Sequence, residues 1–362
     1  MMLPIRRIPL PALFGPLAVA LLSILASSAQ AQTNVATSAA PFLTIGVGAR
    51  AMGMGGAYVS MVEDASALFW NPAGAAEAQR SGLLLQHSEW LADIDFEYAA
   101  LLTSGPFGGI AGISFTTLDL GEMEVTTIEE AEGTGQRFSA RDLALGAAYA
   151  VALTDQFSIG GTLKYIRQSI WNESATGWAV DVGTIYRVPW RALTIGSSIS
   201  NFGTRMRMSG LDLRTTKDLD DRIEGNNGFT PADLETAAWN LPLLLRVGLS
   251  LDLFQGGLLP TRFALDALHP NDNSESLNLG LETGLSDLLF LRGGWNRWRP
   301  QNLLNKISSN IERDETVEGG LTLGLGLDAS VAGLGNLSID YAYLDHGRLR
   351  QSQFFALGLM FQ

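Results

Sequence analysis

Residues 317–328 read Val317-Glu318-Gly319-Gly320-Leu321-Thr322-Leu323-Gly324-Leu325-Gly326-Leu327-Asp328. Side chains of a strand alternate between its faces. Val317, Gly319, Leu321, Leu323, Leu325 and Leu327 therefore share one face, and Glu318, Gly320, Thr322, Gly324, Gly326 and Asp328 the other. A ribbon that is greasy on one side and polar on the other suits a soluble sandwich or a membrane barrel. In the barrel, lipid meets the outside and water or polar groups fill the inside.

The rest of the chain decides between the two. Period-two segments recur at 81–91, 96–103, 107–118, 138–152, 156–170, 176–188, 191–203, 241–254, 260–269, 275–285, 287–297, 315–329, 335–346 and 350–362. Taken in order, the even connections are short, such as Thr154-Asp155 and Ser286-Asp287. The odd ones include every long loop: Asp119 to Arg137, Thr204 to Asn240 and Trp298 to Asp314. Short turns at one end and long loops at the other are the asymmetry of outer-membrane barrels, and a sandwich has no reason to sort its loops this way. The even strand number puts both termini at the short-turn, periplasmic end. Arg246, Asp252, Arg262, Asp266, Glu282, Arg292, Glu318 and Asp328 fall on the polar faces. Facing lipid they would be costly, so they are expected to line and pair within the lumen. Trp90, Trp171, Trp190, Trp239, Trp295 and Trp298 sit near strand ends, where an interfacial girdle belongs.

Upstream, Arg6 and Arg7 precede the apolar stretch Leu10 to Ala26 and the small-x-small site Ala29-Gln30-Ala31. This is the pattern of a cleavable export signal. The domain expectation is a signal peptide at 1–31, a plug or hatch segment at 32–80 and a barrel at 81–362. The chain has no cysteine, so the fold stands without disulfides or thiolate metal sites. With 24 Lys and Arg against 37 Asp and Glu, its formal net charge is −13, which argues against nucleic acid as a partner. Forty glycines, many inside strands, are costly in an ordinary sheet. Barrels use such glycines to bend strands and leave room in the lumen.

Residues 45–78, IGVGARAMGMGGAYVSMVEDASALFWNPAGAAEA, fit neither strand nor smooth helix. Asp64 is placed to cap a short helix, and Asn71-Pro72 to stop it and begin a turn. The segment is too apolar to hang in water, and folding into the barrel mouth would bury it. The stretch ARAMGMGGAYVSMVEDASALFWNPAGAA resembles the N-terminal signature of PorV/PorQ-type outer-membrane proteins, relatives of the fatty-acid channel family FadL. Leu265 to Glu282 is similar to a second family segment. The resemblance implies a fourteen-stranded all-β antiparallel transmembrane barrel. It also implies that Gly53, Gly55, Gly56, Asp64, Asn71, Pro72 and Gly74 shape a plug. PorV itself accepts the C-terminal domains of exported cargo in type IX secretion and passes them to a sortase.

No enzyme is expected. The histidines are His87, His269 and His346. Asp345-His346-Gly347 reads as a hairpin turn, and His269-Pro270-Asn271-Asp272 as another. No cofactor and no metal site is expected. The leading function is a non-enzymatic secretion or cargo-handling component, a multi-pass barrel of the outer membrane. Its expected partners are outer-membrane lipid and protein, either cargo or secretion machinery. Two alternatives stay open: a FadL-like channel for hydrophobic small molecules, and a structural or adhesive surface barrel. The charged lumen and polar loops favour a protein partner over a hydrophobic ligand.

Overall fold

The computed structural model describes residues 37–78, 80–91, 94–189, 192–218, 222, 229–254, 259–298 and 319–361. The expected signal peptide, Val317, Glu318 and Trp190 lie outside the described residues. Seventeen strands run in chain order: β1 Gly82–Glu89, β2 Asp95–Ser104, β3 Ile110–Glu124, β4 Arg137–Thr154, β5 Phe157–Ile170, β6 Glu173–Arg187 and β7 Leu193–Gly203 come first. They are followed by β8 Ser209–Gly210, β9 Arg214–Lys217, β10 Thr230–Asp233, β11 Leu244–Leu253, β12 Thr261–Pro270, β13 Ser276–Gly284 and β14 Leu289–Trp298. The last are β15 Leu321–Val331, β16 Gly335–Asp345 and β17 Gln351–Phe361.

Fourteen of them, β1–β7 and β11–β17, pair antiparallel with their neighbours in sequence, and β1 pairs with β17 to close the barrel. Closure leaves no unpaired edge, which is what a sheet needs in a bilayer. The closing register sets Leu85 beside Leu357 and His87 beside Phe355. Strands of 9 to 11 residues, as β11–β17 are, match the length that spans a membrane at a tilt. β3 and β4 are longer, at 15 and 18 residues, and rise as a ribbon past a bulge between Asp119 and Glu122.

The long 204–243 connection is not the plain loop its sequence suggests. β8 adds to the end of β6, and β9 and β10 form a separate two-stranded ribbon. Strands of two to four residues in a polar loop carry too little hydrophobic period to be revealed by it.

Outward positions are apolar. Leu321, Leu323, Leu325 and Leu327 of β15 are exposed, as are Leu245 and Val247 of β11. Inward positions differ around the wall. β11–β16 carry Arg246, Asp266, Glu282, Arg292 and Asp340, all buried. By contrast, β1–β3 and β17 turn Leu84, Phe96, Leu102, Ile110 and Phe354 inward. Lys164 of β5 and Asp181 of β6 are buried and paired as well, so the lumen is apolar over one sector and charged over the rest. The apolar sector packs against the N-terminal segment, and Phe42, Val47, Leu68 and Trp70 join Phe96, Leu102 and Phe354 in one core.

The tryptophans divide. Trp171, Trp178, Trp239 and Trp295 are exposed. Trp90 instead packs edge-on against His346 and the inward Phe354, with centroids 5.1 and 6.2 Å away. It closes the top of the core and belongs to no girdle.

Leu249 and Ser250 are neighbours on opposite faces, and Ser250 borders a cavity. Leu249→Arg is expected to cost roughly 2–4 kcal/mol at the lipid midplane and to impair assembly, while Ser250→Arg assembles. Heat-modifiable migration on gels reads the difference, and equal behaviour would refute the face assignment.

Candidate functional site

Residues 38–78 run through the barrel interior as a 3-10 turn, Pro41–Thr44, and three short helices, Ala49–Gly53, Ala67–Trp70 and Gly74–Ala78. Helices this short leave most of their backbone groups unpaired. Buried, those groups need partners from elsewhere, and the barrel wall supplies them.

Against β13–β15, the carbonyls of Gly53, Gly55 and Gly56 accept hydrogen bonds from Thr322 Oγ1 at 2.9 Å, Asn296 Nδ2 at 2.9 Å and Asn278 Nδ2 at 3.0 Å. Gly55 and Gly56 have φ of +67° and +72°, a region side chains rarely enter. A Cβ on Gly55 would stand 2.6 Å from the Leu279 carbonyl oxygen and 2.7 Å from Trp295 N. The wall answers in kind. A Cβ on Gly280 would lie 2.5 Å from the Met54 carbonyl oxygen, one on Gly294 2.5 Å from Met54 C, and one on Gly324 3.0 Å from Gly53 Cα. Backbone meets backbone at this contact, with glycine on both sides.

A second contact begins on the adjacent strand β12 and continues to β5–β7. Asp266 Oδ2 accepts the N–H groups of Tyr58 at 2.8 Å and Val59 at 2.9 Å. Asn71 is fully buried and extended. Its Nδ2 donates to the Val59 carbonyl at 2.8 Å and to the Thr184 carbonyl of β6 at 3.0 Å, and its Oδ1 accepts Ala73 N–H at 3.2 Å. One side chain thus joins two turns of the segment to the wall. The wall again makes room with glycine: Gly183 faces the Asn71 amide, Gly160 faces Pro72 and Gly196 faces Val59. Gly74 packs on Val62 within the segment. The Asp64 side chain meets the N-terminus of the Ala67–Trp70 helix, where Ser66 makes no side-chain cap bond of its own. Ser66 precedes Ala67 at the N-cap position, and Asp64 Oδ1 accepts the Ser66 N–H at 2.8 Å. The carboxylate also accepts the Tyr58 hydroxyl at 3.1 Å.

Seven charged residues of β11–β14, β16 and the N-terminal segment form a chain of ion pairs. Arg262 bonds Asp252 at 2.6 Å and Glu63 at 3.2 Å. Arg50 bonds Glu63 at 3.3 Å and Glu282 at 2.7 Å. Arg292 then joins Glu282 at 2.7 Å to Asp340 at 2.5 Å. Arg50 and Glu63 belong to the N-terminal segment, so the segment completes the network of the wall. Burial pushes the Glu63 carboxyl up, but Arg50 and Arg262 outweigh it and hold it below the ordinary carboxylate range. Arg246 stands apart from this chain. It donates to Ser200 Oγ at 3.2 Å and lies over Phe69 and Trp70, 5.4 and 5.1 Å from their centroids. Asp328 lies on the inward face of β15, in register with Ser338. Glu318 lies outside the described residues.

The structure brings Gly53, Gly55, Gly56, Asn71 and Pro72 to the wall, and joins Asp252, Arg262, Glu282 and Arg292 in the network. Sequence reasoning missed Arg50, Asn296 and Gln86, whose Oε1 accepts Gly48 N–H. It also missed the particular wall glycines that receive the segment. Their signal was glycine at inward positions of neighbouring strands. The histidines serve separate local contacts: His346 is buried with Nε2 3.0 Å from Ser352 Oγ, and His269 pairs with Glu275.

Below the segment, at the short-turn end, a cavity of about 400 Å³ is lined by Ser60, Glu63, Glu77, Arg187, Asp252 and Arg262, among others. It is polar and ends at the segment.

Comparison with known proteins gives a family and a fold. The family model described as "Type IX secretion system protein PorV" matches residues 28–209. No curated protein matches the chain. Among solved structures, the toluene transporter TbuX of Ralstonia pickettii superposes with a TM-score of 0.54 at 12% identity, over 88% of this chain and 99% of that one. The toluene transporter TodX of Pseudomonas putida gives 0.52 at 10% identity, over 88% and 99%. A Pseudomonas aeruginosa FadL homologue gives 0.49 at 15%, over 86% and 96%. At such identities the likeness to the two transporters is one of fold.

Gly294→Val would drive a branched side chain into the Met54–Gly55 backbone, an overpacking cost of roughly 1–3 kcal/mol. The neighbouring Gly293→Val points outward and serves as the control. Both variants should migrate as folded barrels, but only Gly294→Val should expose residues 45–78 to added protease. Equal protection of the two would mean the contact does not hold the segment.

Proposed function

From membership of the PorV family of type IX secretion system proteins, to which this chain belongs, we propose that its outer-membrane barrel handles exported cargo with its outer loops while residues 37–78 plug the lumen. The chain is a non-enzymatic barrel component of that system. In this reading both termini are periplasmic and the long loops face the cell exterior, as the even strand number and the sorted connections suggest.

The observation that carries the reading is the filled interior. The segment covers the apolar sector of the lumen, where Phe96, Leu102 and Phe354 are fully buried. It also ties into the charged remainder through Arg50 and Glu63. A conduit for a hydrophobic molecule would need an apolar path past the segment, yet the cavity beneath it is polar. Work at the outer surface remains. There the 204–243 connection holds out the β9–β10 ribbon and exposes Leu211, Phe229 and Leu234. Exposed apolar groups on an outer loop suit contact with a folded protein.

Two experiments separate plug from loops. Asn71→Ala combined with Pro72→Ala is expected to leave a heat-modifiable barrel that conducts in planar bilayers, where the parent chain stays closed. Unchanged conductance would remove the plug role. Leu211→Ser combined with Leu234→Ser is expected to lower cargo secretion in cells several-fold with the bilayer silent. Full secretion by that variant would move cargo contact away from this loop.

A further inference from the structure

The cavity at the short-turn end, about 400 Å³ in volume, is bounded by segment and wall together. Residues 60–63 of the segment line it from above, and the short-turn ends of β6, β7, β11 and β12 line its sides. Its size falls among small-molecule sites, which run from about 300 to 1,000 Å³. One group in the lining is short of a partner. Ser60 is 2% exposed, yet its hydroxyl has no hydrogen-bond partner among the described residues. A buried hydroxyl left unpaired is unfavourable, and a ligand in the cavity can pair it. Ser250 and Thr194, in register on β11 and β7, add two more hydroxyls.

Charge in the lining is already matched. Glu77 pairs with Arg187 and accepts the Ser158 hydroxyl at 2.6 Å. Arg262 pairs with Asp252 and with Glu63, and Glu63 is shared with Arg50. These pairs stay within reach of a ligand, because the side chains of Arg187 and Glu63 are 47% and 45% exposed. An ion of either sign would have to take a partner from one of the pairs, which leaves a confined charge unmatched. An apolar ligand would strip water from carboxylates and guanidiniums and return no hydrogen bond. A neutral polyol does neither. Each of its hydroxyls donates to a carboxylate oxygen while accepting from a guanidinium N–H, so it bridges the pairs without breaking them. Met61, Val62 and Ile185 add apolar surface to the same lining, which fits the C–H face of a sugar ring.

We propose that this cavity is a binding site for a short neutral saccharide, which pairs the Ser60 hydroxyl and bridges the Glu77–Arg187 and Asp252–Arg262 pairs. The inference rests on the outer-membrane reading of the barrel, which sets the short turns in the periplasm, and adds a periplasmic ligand to it. Two periplasmic sources share this chemistry, a free sugar and the glycan of the cell wall.

The test uses the full chain, purified as a heat-modifiable barrel in a detergent without a sugar headgroup. The probes are glucose, N-acetylglucosamine and chitobiose, read by saturation-transfer NMR. Transfer to the ring protons of at least one of them is expected. Ser60→Ala removes only the unpaired hydroxyl and should weaken binding at least several-fold. Ser250→Arg extends a long side chain into the cavity and should abolish binding, with heat-modifiable migration confirming that both variants are folded. Free glutamate and lysine serve as ionic probes and should show no transfer that Ser250→Arg removes. Sedimentation with purified cell-wall sacculi then assigns the source. Co-sedimentation that is lost in Ser250→Arg assigns the wall glycan, and sugar binding without co-sedimentation assigns a free saccharide. No transfer to any of the three sugars, transfer indifferent to either variant, or cavity-dependent binding of glutamate or lysine in their place would each overturn the proposal. None of these measurements involves secretion or the outer loops, so failure here is distinct from failure of the cargo-handling reading.

Discussion

The structure depends on a polar backbone being buried inside a barrel. Residues 38–78 form only short helical turns, which pair many of their own backbone groups and leave the rest to find partners elsewhere. Those partners are wall side chains at hydrogen-bond distance: Asp266, Asn278, Asn296 and Thr322. Short side chains on the wall reach a neighbouring backbone only if that backbone comes close, and close approach needs glycine. Gly280, Gly294 and Gly324 on one side, and Gly160, Gly183 and Gly196 on the other, are where it comes close. The strand glycines, unfavourable in an ordinary sheet, are the seat of the segment.

Electrostatics follows from that seat. Arg292 and Glu282 could pair without help, but Glu282 also faces Arg50, and Arg262 also faces Glu63. Removing the segment would leave Glu282 and Arg262 short of a partner in a confined lumen, and a buried charge that loses its partner is costly. Hydrogen bonds, glycine packing and ion pairs thus act on the same 40-residue stretch from three directions. A lumen built this way favours a closed barrel.

Much of this was legible from the residues. The fourteen strands follow from period-two patterning, as in Leu321 to Asp328, because burial against lipid on one face and lumen on the other imposes alternation. The lumen positions of Arg246, Asp266, Glu282 and Arg292 follow from the same parity. The family is written in 49–76, where glycines and Asn71-Pro72 are crowded too densely for a regular element. Local pattern did not reveal β8–β10, whose few polar residues carry no period, nor the inward turn of Trp90 onto Phe354.

The sequence by itself determined which residues face out and which face in, because that choice is made by neighbours one and two positions away. Only the tertiary structure decided which inward residues meet. Arg50 and Glu282 are 232 positions apart, and Asn71 reaches Thr184 across 113. Closure of the sheet, strand tilt and the path of the segment bring them together, and no local spacing encodes those. The same holds for the partly apolar lumen. Phe96, Leu102 and Phe354 fit the alternation as well as any polar residue would, and they turn inward because the N-terminal segment is there to cover them.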